Sequence, residues 1–458
     1  MNPEQIQAMN ALEEQFSAPA EQLQKIKEHF LEQIKVRRSD PKFNGNMIPS
    51  FITDRATGDE VGQFLALDLG GTNLRVCLVT LKGQGQIALK QHKFNIPNSL
   101  KTGDHKELFQ TMAQNVELFL GQISNQIDVD GKPLPLGFTF SYPIDQTAID
   151  SGKLVRWNKG FDIPGAVGRD VVQLLQYALD NLGLNVKVVA ILNDTVGTLL
   201  ASSYQDRNSV MGVILGTGSN TAFIEKTRNI TKMDLSHIKS DDMIVNIEWG
   251  AFDNERVSLP CTMFDNHLDR ESISPGSQIF EKMISGEYLG TLVQLVLFNL
   301  IDRRLIFDGR SSKMLNTPFS FETSYMSTIE SDTTENLTDT KSVLENSLDI
   351  NDSTLTDRQM LKRICHMIGR RAARLAGAGL AAVVSARQDL LEQSVTIGID
   401  GSLFEFYPGF EGNLTEAMRE LLGSDIVENH IKLTMAKDGS GVGAALAAMV
   451  ALKIKNQL

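Results

Sequence analysis

Along the first forty residues apolar side chains recur at helical spacing with charges between them. Over residues 12–37 the run LEEQFSAPAEQLQKIKEHFLEQIKVR predicts an amphipathic helix packed on the body of the protein, and SDPKFNGNMIPS predicts the loop that ends it. From Phe64 onward short apolar strands alternate with helical stretches, VKVVAIL at 186–192 and VMGVIL at 210–215 among them. That alternation predicts an α/β fold.

Two segments share one plan. FLALDLGGTNLRVCLV, Phe64 to Val79, and VMGVILGTGSNTAFIE, Val210 to Glu225, each run from apolar strand through a glycine turn to apolar strand. Neither has the spacing of G-x-G-x-x-G or G-x-x-x-x-G-K-[ST]. A tight glycine hairpin aims successive backbone N–H groups at one point, and it is expected here to use positive φ. Each segment alone reads equally well as an ordinary hairpin, but the pair suggests two related domains around one anionic ligand. Asp68, just before the first turn, would repel a phosphate directly, so Mg²⁺ held through water is expected between them. GAGLAA at 377–382 matches G-x-G-x-x-A only formally; it follows the helical RRAARLA and reads as helix packing. The polar, Ser- and Thr-rich stretch from Ser320 to Ser353 reads by composition as a flexible surface connection.

Composition narrows the function. The 458 residues, 42% hydrophobic and 22% charged, suffice for two or three domains with a real core. A net charge of -12 argues against general affinity for nucleic acid or anionic membranes, so an anionic ligand needs a local site. Three scattered cysteines and seven unpaired histidines support neither disulfides nor zinc. No apolar run approaches the ~20 residues of a membrane helix, and MNPEQIQAMNALEEQF lacks a signal pattern; a cytoplasmic location is expected.

Polar residues then cluster at strand ends. AILNDTVGT delivers Asn193, Asp194 and Thr195 where a helix should begin, the end of a strand that favours catalytic groups; the alternative is that Asp194 simply caps that helix. GFTFSYPIDQTAIDSGKLVRWNKGF holds Ser141, Asn158 and Lys159. MIVNIEWGAFDNE places Glu248 beside Trp249 in a strand-like run, where a buried carboxylate needs hydrogen bonds, and SPGSQIFEKM adds Gln278 and Glu281 on the opening of a helix. Carboxylates, amides and hydroxyls with little aromatic surface suit a sugar.

LDLGGTNLRV, FTFSYP with WNKGF, LNDTVGT, LGTGSN, IEWGAFDNE, PGSQIFEKMISGEYLG and DGSGVGAA follow the order found in hexokinases, and the chain strongly resembles a fungal-type, single-unit hexokinase or glucokinase from about Leu12 to Ala448. The resemblance implies two ribonuclease-H-like domains of the actin-like ATPase fold closing over a cleft. The small domain would be 63–194 completed by a C-terminal helix at about 441–458, and the large domain 1–62 with 195–440. It implies transfer of the ATP γ-phosphoryl group, with Mg²⁺, to the 6-hydroxyl of glucose or a related hexose by a monomer or homodimer. Asp194 would be the base and Lys159 would neutralise charge. Hexose contacts would come from Ser141, Asn158, Lys159, Asn193, Asp194, Asn220, Glu248, Gln278 and Glu281. Phosphate contacts would come from Asp68 through the metal, Gly70, Gly71, Thr72, Asn73, Arg75, Gly216, Thr217 and Gly218. Thr323, Ser327, Gly439 and Ser440 would hold the rest of the nucleotide, which takes FETSYMS out of the flexible stretch and leaves TENLTDTK as loop.

Aspartic acid in peptides has a pKa of about 3.9, so a carboxylate base takes a sugar proton only as the oxygen bonds phosphorus, contributing roughly 10²- to 10⁴-fold. Alignment and charge neutralisation must supply the rest. Asn158 replaces the family's usual threonine and bears on hexose preference; Thr291 replaces its usual glutamate with no physical consequence we can derive. A sugar sensor of the same fold and a nucleotide-switched actin-like ATPase are the alternatives, and turnover on a sugar panel separates all three.

Overall fold

The structure, a computed structural model, describes residues 1–457 except 44, 128–130, 158 and 159. Its two main sheets repeat one topology. In the five-stranded sheet the order is Ile87–Asn95, Asn73–Lys82, Val61–Leu69, Leu134–Phe140 and Val186–Leu192, the first three antiparallel and the rest parallel. The six-stranded sheet runs Asp242–Asn246, Ser219–Lys226, Ser209–Leu215, Val395–Asp400 and Ile431–Met435 in the same sense, with the short Ile48–Pro49 added at the edge. Both glycine segments are therefore the first hairpin of a sheet.

A helix follows the fifth strand of each sheet, Asp194–Gln205 in one and Gly439–Gln457 in the other, and each lies on the opposite sheet. Glycine makes this possible. A Cβ on Gly137 would overlap the carbonyl of Ala444, one on Gly212 would overlap the carbonyl of Thr195, and one on Gly443 would overlap the backbone of Gly197 where the two helices cross. Helical glycine costs about 1 kcal/mol against alanine, so Gly197 and Gly443 trade helix propensity for backbone contact, while Gly137 and Gly212 do the same service from strands. The Leu355–Ala386 helix, buried all round from Arg371 to Val384, forms the centre of the larger half and packs GAGLAA against neighbours: Gly377 faces Leu414 and Gly379 the Trp249 ring. Among the described residues no helix is long and apolar enough to cross a membrane.

Several expectations need correction. The run over 12–37 forms two helices, Pro3–Phe16 and Ala20–Arg37, because Pro19 pushes Ala18 out of the helical region and cannot donate. None of Gly70, Gly216 and Gly218 lies at left-handed φ; a Cβ at Gly70 would stand 3.2 Å from the carbonyl of Asn73, while at Gly216 and Gly218 it would meet only ordinary contacts. Glu248 is half-buried and lies beyond the strand, which ends at Asn246. The Ser320 stretch is largely helical, with Thr323–Ser331 and Thr338–Asn346, so TENLTDTK is half helix.

Composition misses that second helix because its anchor is one carboxylate. Asp332, 1% exposed, accepts from the N–H and hydroxyl groups of both Thr334 and Thr340 at 2.6–3.1 Å. Burial alone would raise its pKa, but these hydrogen bonds outweigh burial and hold it at about 2. Asp332→Ala is expected to cost about 2 kcal/mol, because the buried N–H of Thr340 loses its acceptor. With the folded pKa below the unfolded one, the contribution is complete above about pH 4 and disappears as pH falls toward 2. Urea midpoints of the wild type and variant should converge over that window; a gap that persists at pH 2 would reject the assignment.

Candidate functional site

The Val186–Leu192 strand ends at Asn193, whose side chain caps the next helix by accepting from the N–H of Thr195 at 2.9 Å. Asn193 is thus the N-cap and Asp194 the first helical residue; Asp194 also accepts from Thr195 N–H and donates its own N–H to Ser141 Oγ at 3.2 Å. Asn220, on the second glycine hairpin, reaches across with Nδ2 to Asn193 Oδ1 at 3.3 Å and Glu248 Oε1 at 3.2 Å. Gln278 Nε2 donates to Glu281 Oε2 at 3.3 Å, and both crowd Gly250, where a Cβ would stand 2.6 Å from Glu281 Oε2. Trp249, fully buried between Phe30 and Phe280 with Nε1 on Ser219 Oγ, fixes that corner. Ser141, Asn193, Asp194, Asn220, Glu248, Gln278 and Glu281 therefore form one polar wall. Asn158 and Lys159 lie outside the described residues.

The second group forms a line. Asp68 and Arg75 face each other across the first hairpin, and Arg75 Nη2 donates to Asp68 Oδ2 at 3.3 Å while Nη1 reaches Asp438 Oδ1 at 2.9 Å. Ser440 Oγ donates to Asp68 Oδ2 at 2.8 Å, and Tyr142 donates to Gly70 O at 3.2 Å. Thr72 accepts from Asn73 at 3.0 Å. Burial, together with the charges of Asp438 and Asp194, pushes the Asp400 carboxyl above its ordinary value, although the Gly439 N–H binds it. At Gly401, φ 128°, a Cβ would overlap the carbonyl of Leu215 and the nitrogen of Gly216. Gly216 and Thr217 carbonyls accept from Gly286 and Glu287 at the start of the Gly286–Asp302 helix. Thr323 Oγ1 donates to Gly286 O and accepts from Gly290 N–H, while Ser327 donates to Phe406 O. The first glycine hairpin thus reaches residues 438–440 and the second reaches Gly401, and the two are joined where the Gly439 N–H binds Asp400. Thr291 is buried in the same helix.

Three residues of this site escape a reading by local pattern: Asn246, Asp400 and Asp438. A signal existed for two of them, since Asp-Gly-Ser occurs twice, at 400–402 and 438–440, each where a strand gives way to a helix. Asn246 and Glu248 form an N-x-E pair at the end of a strand.

Duplicated sheets with exchanged helices, and a polar cleft between them, define the actin-like ATPase fold. The chain belongs to the hexokinase family: models described as hexokinase match residues 8–204 and 210–450. It is 40% identical over 455 residues to a hexokinase of Kluyveromyces lactis, covering 98% of this chain and 93% of that one. Identity is also 40% to an Aspergillus niger glucokinase, over 473 residues and 96% of each chain. The solved hexokinase from Schistosoma mansoni complexed with glucose superposes with a TM-score of 0.87 at 35% identity, over 97% of this chain and 99% of that one. The protein is a sugar kinase that phosphorylates hexoses.

Proposed function

We propose that the chain transfers the γ-phosphoryl group of ATP to the 6-hydroxyl of D-glucose, and of mannose or fructose, giving hexose 6-phosphate and ADP as the first step of glycolysis in the cytoplasm. The small domain is 63–194 with the C-terminal helix from about 441, and the large domain 1–62 with 195–440. One observation carries the reading: Asp194 opens its helix where the polar wall meets the line of groups along the hairpins, close enough to feel Asp400.

In this reading Ser141, Asn193, Asn220, Glu248, Gln278 and Glu281, with Asn158 and Lys159, hold the hexose. As the 6-oxygen bonds the γ-phosphorus and the bond to the β-phosphate oxygen breaks, Asp194 takes the hydroxyl proton. Hairpin N–H groups at 70–73 and 216–218 with Arg75 hold phosphates; Thr323, Ser327, Gly439 and Ser440 hold the nucleoside end. The residues present fit Mg²⁺: Asp68, with a side chain 20% exposed, is held beside the turn by Arg75 and Ser440, and Mg²⁺ characteristically takes one or two carboxylates plus phosphates and retained waters. When bound, the ion supplies neutralisation of phosphate charge. Closure on the sugar would keep water from ATP.

A coupled assay over glucose, mannose, fructose and glucosamine tests this. Equimolar ADP and 6-phosphate are expected; sugar binding without either product, or ADP released without sugar, rejects it. Asn158→Thr is expected to change the ranking of hexoses while turnover is largely kept. Unchanged kcat/KM ratios across the panel would separate Asn158 from hexose preference.

A further inference from the structure

Asn246 ends the Asp242–Asn246 strand, pairing with Ala222 on one side and Ile48 on the other, and is 5% exposed. Its side chain serves the polar wall. Nδ2 donates to Glu248 Oε1 at 2.8 Å, and Oδ1 accepts from Asn220 Nδ2 at 2.9 Å and from the backbone N–H of Glu248 at 3.2 Å. That last bond is an Asx turn. It matters because Glu248 sits at φ 55°, ψ 53°, a left-handed conformation that non-glycine residues adopt at a cost. Asn46, donating to the Glu248 carbonyl at 3.0 Å, holds the same turn from the other side.

We propose that Asn246 is a positioning residue for hexose recognition, whose amide orients the Glu248 carboxylate and the Asn220 amide toward the sugar. The proposal rests on the reading of those two residues as hexose contacts. The polarity of the amide is essential, because it offers N–H toward Glu248 and oxygen toward Asn220. An aspartate of identical shape offers oxygen to both, and two carboxylates at hydrogen-bond distance must share a proton. Glu281 and Asp194 are the other carboxylates of the wall, and comparison with the wild type at each pH cancels their titration.

The experiment measures KM for glucose, KM for ATP and kcat of the full chain at pH 6 and pH 8. For Asn246→Asp, glucose KM should rise about 10- to 100-fold at pH 8, as expected for a lost hydrogen bond to a charged group. At pH 6 at least threefold of that loss should return, with ATP KM unchanged. Asn246→Ser keeps an acceptor for the Glu248 N–H but is too short to reach its carboxylate; glucose KM should rise about tenfold at both pH values. A glucose KM within twofold of wild type in both variants, or an aspartate deficit equal at pH 6 and pH 8, overturns the proposal. If the aspartate variant fails to fold, the serine variant decides alone. Glu248→Gln runs alongside: an unchanged glucose KM there removes the hexose reading of Glu248 and the proposal with it. A raised KM there, with silent Asn246 variants, removes the proposal alone.

Discussion

Replacing Asp194 by alanine should leave hexose binding in place and lower kcat by about 10²- to 10⁴-fold, the contribution of a positioned general base. Binding survives because the wall does not depend on this carboxylate for its shape. Asn193 supplies the helix cap, Asn220 bonds Asn193 and Glu248, and Gln278 and Glu281 hold each other. The helix keeps its start for the same reason. A base acts only as the new oxygen–phosphorus bond forms, so its loss falls on kcat and leaves the glucose Kd near wild type. Asp194→Asn is the companion variant, keeping size and polarity while removing basicity. Glucose titration followed by tryptophan fluorescence, with single-turnover kinetics, separates binding from chemistry. A fall in kcat below tenfold in both variants would take Asp194 out of the base role.

The largest effect on stability is expected from Gly443→Val. At the helix crossing a Cβ on residue 443 would occupy the space of the Gly197 carbonyl, Cα and C atoms, all of them backbone. Neither helix can retreat easily, since Gly137 and Gly212 bring each one equally close to a strand. Overpacking typically costs 1–3 kcal/mol where side chains can yield; against backbone, as here with Gly197, we expect at least about 3 kcal/mol. Urea unfolding with an unchanged m-value measures it. Because the N-termini of these two helices carry Asp194 and Ser440, kcat should fall in the variant even where it remains folded. A loss under 1 kcal/mol would mean that the crossing can open at little cost.

What the sequence disclosed follows from what is local. Glycine turns between apolar runs located both hairpins, and the step from VKVVAIL to Asn193 and Asp194 located a strand-to-helix junction, because periodicity and capping act over a few residues. Asn246 was not legible in that way: at the end of an ordinary strand, its importance comes from Asn220 and from a left-handed residue two places on. Asp400 and Asp438 acquire meaning only when separate strands bring them beside Arg75 and Asp194. Backbone conformation was also hidden, as shown by Gly70, Gly216 and Gly218, expected at positive φ and found outside it. The Ser320 stretch read by composition as a flexible surface connection because one carboxylate, Asp332, organises it, and composition weighs no single residue.

The exchange of helices between the sheets sets a schedule for biogenesis. Strands Val61–Leu69 and Leu134–Phe140 leave the ribosome well before the helix that covers them, Gly439–Gln457, which is made only after residues 195–438. Until then a nascent chain presents an apolar strand face with no intramolecular cover, the kind of surface that aggregates or recruits chaperones. The early half stays incomplete while residues 195–438 are made, and its protection from proteases should arrive in one step once the Gly439–Gln457 helix has emerged.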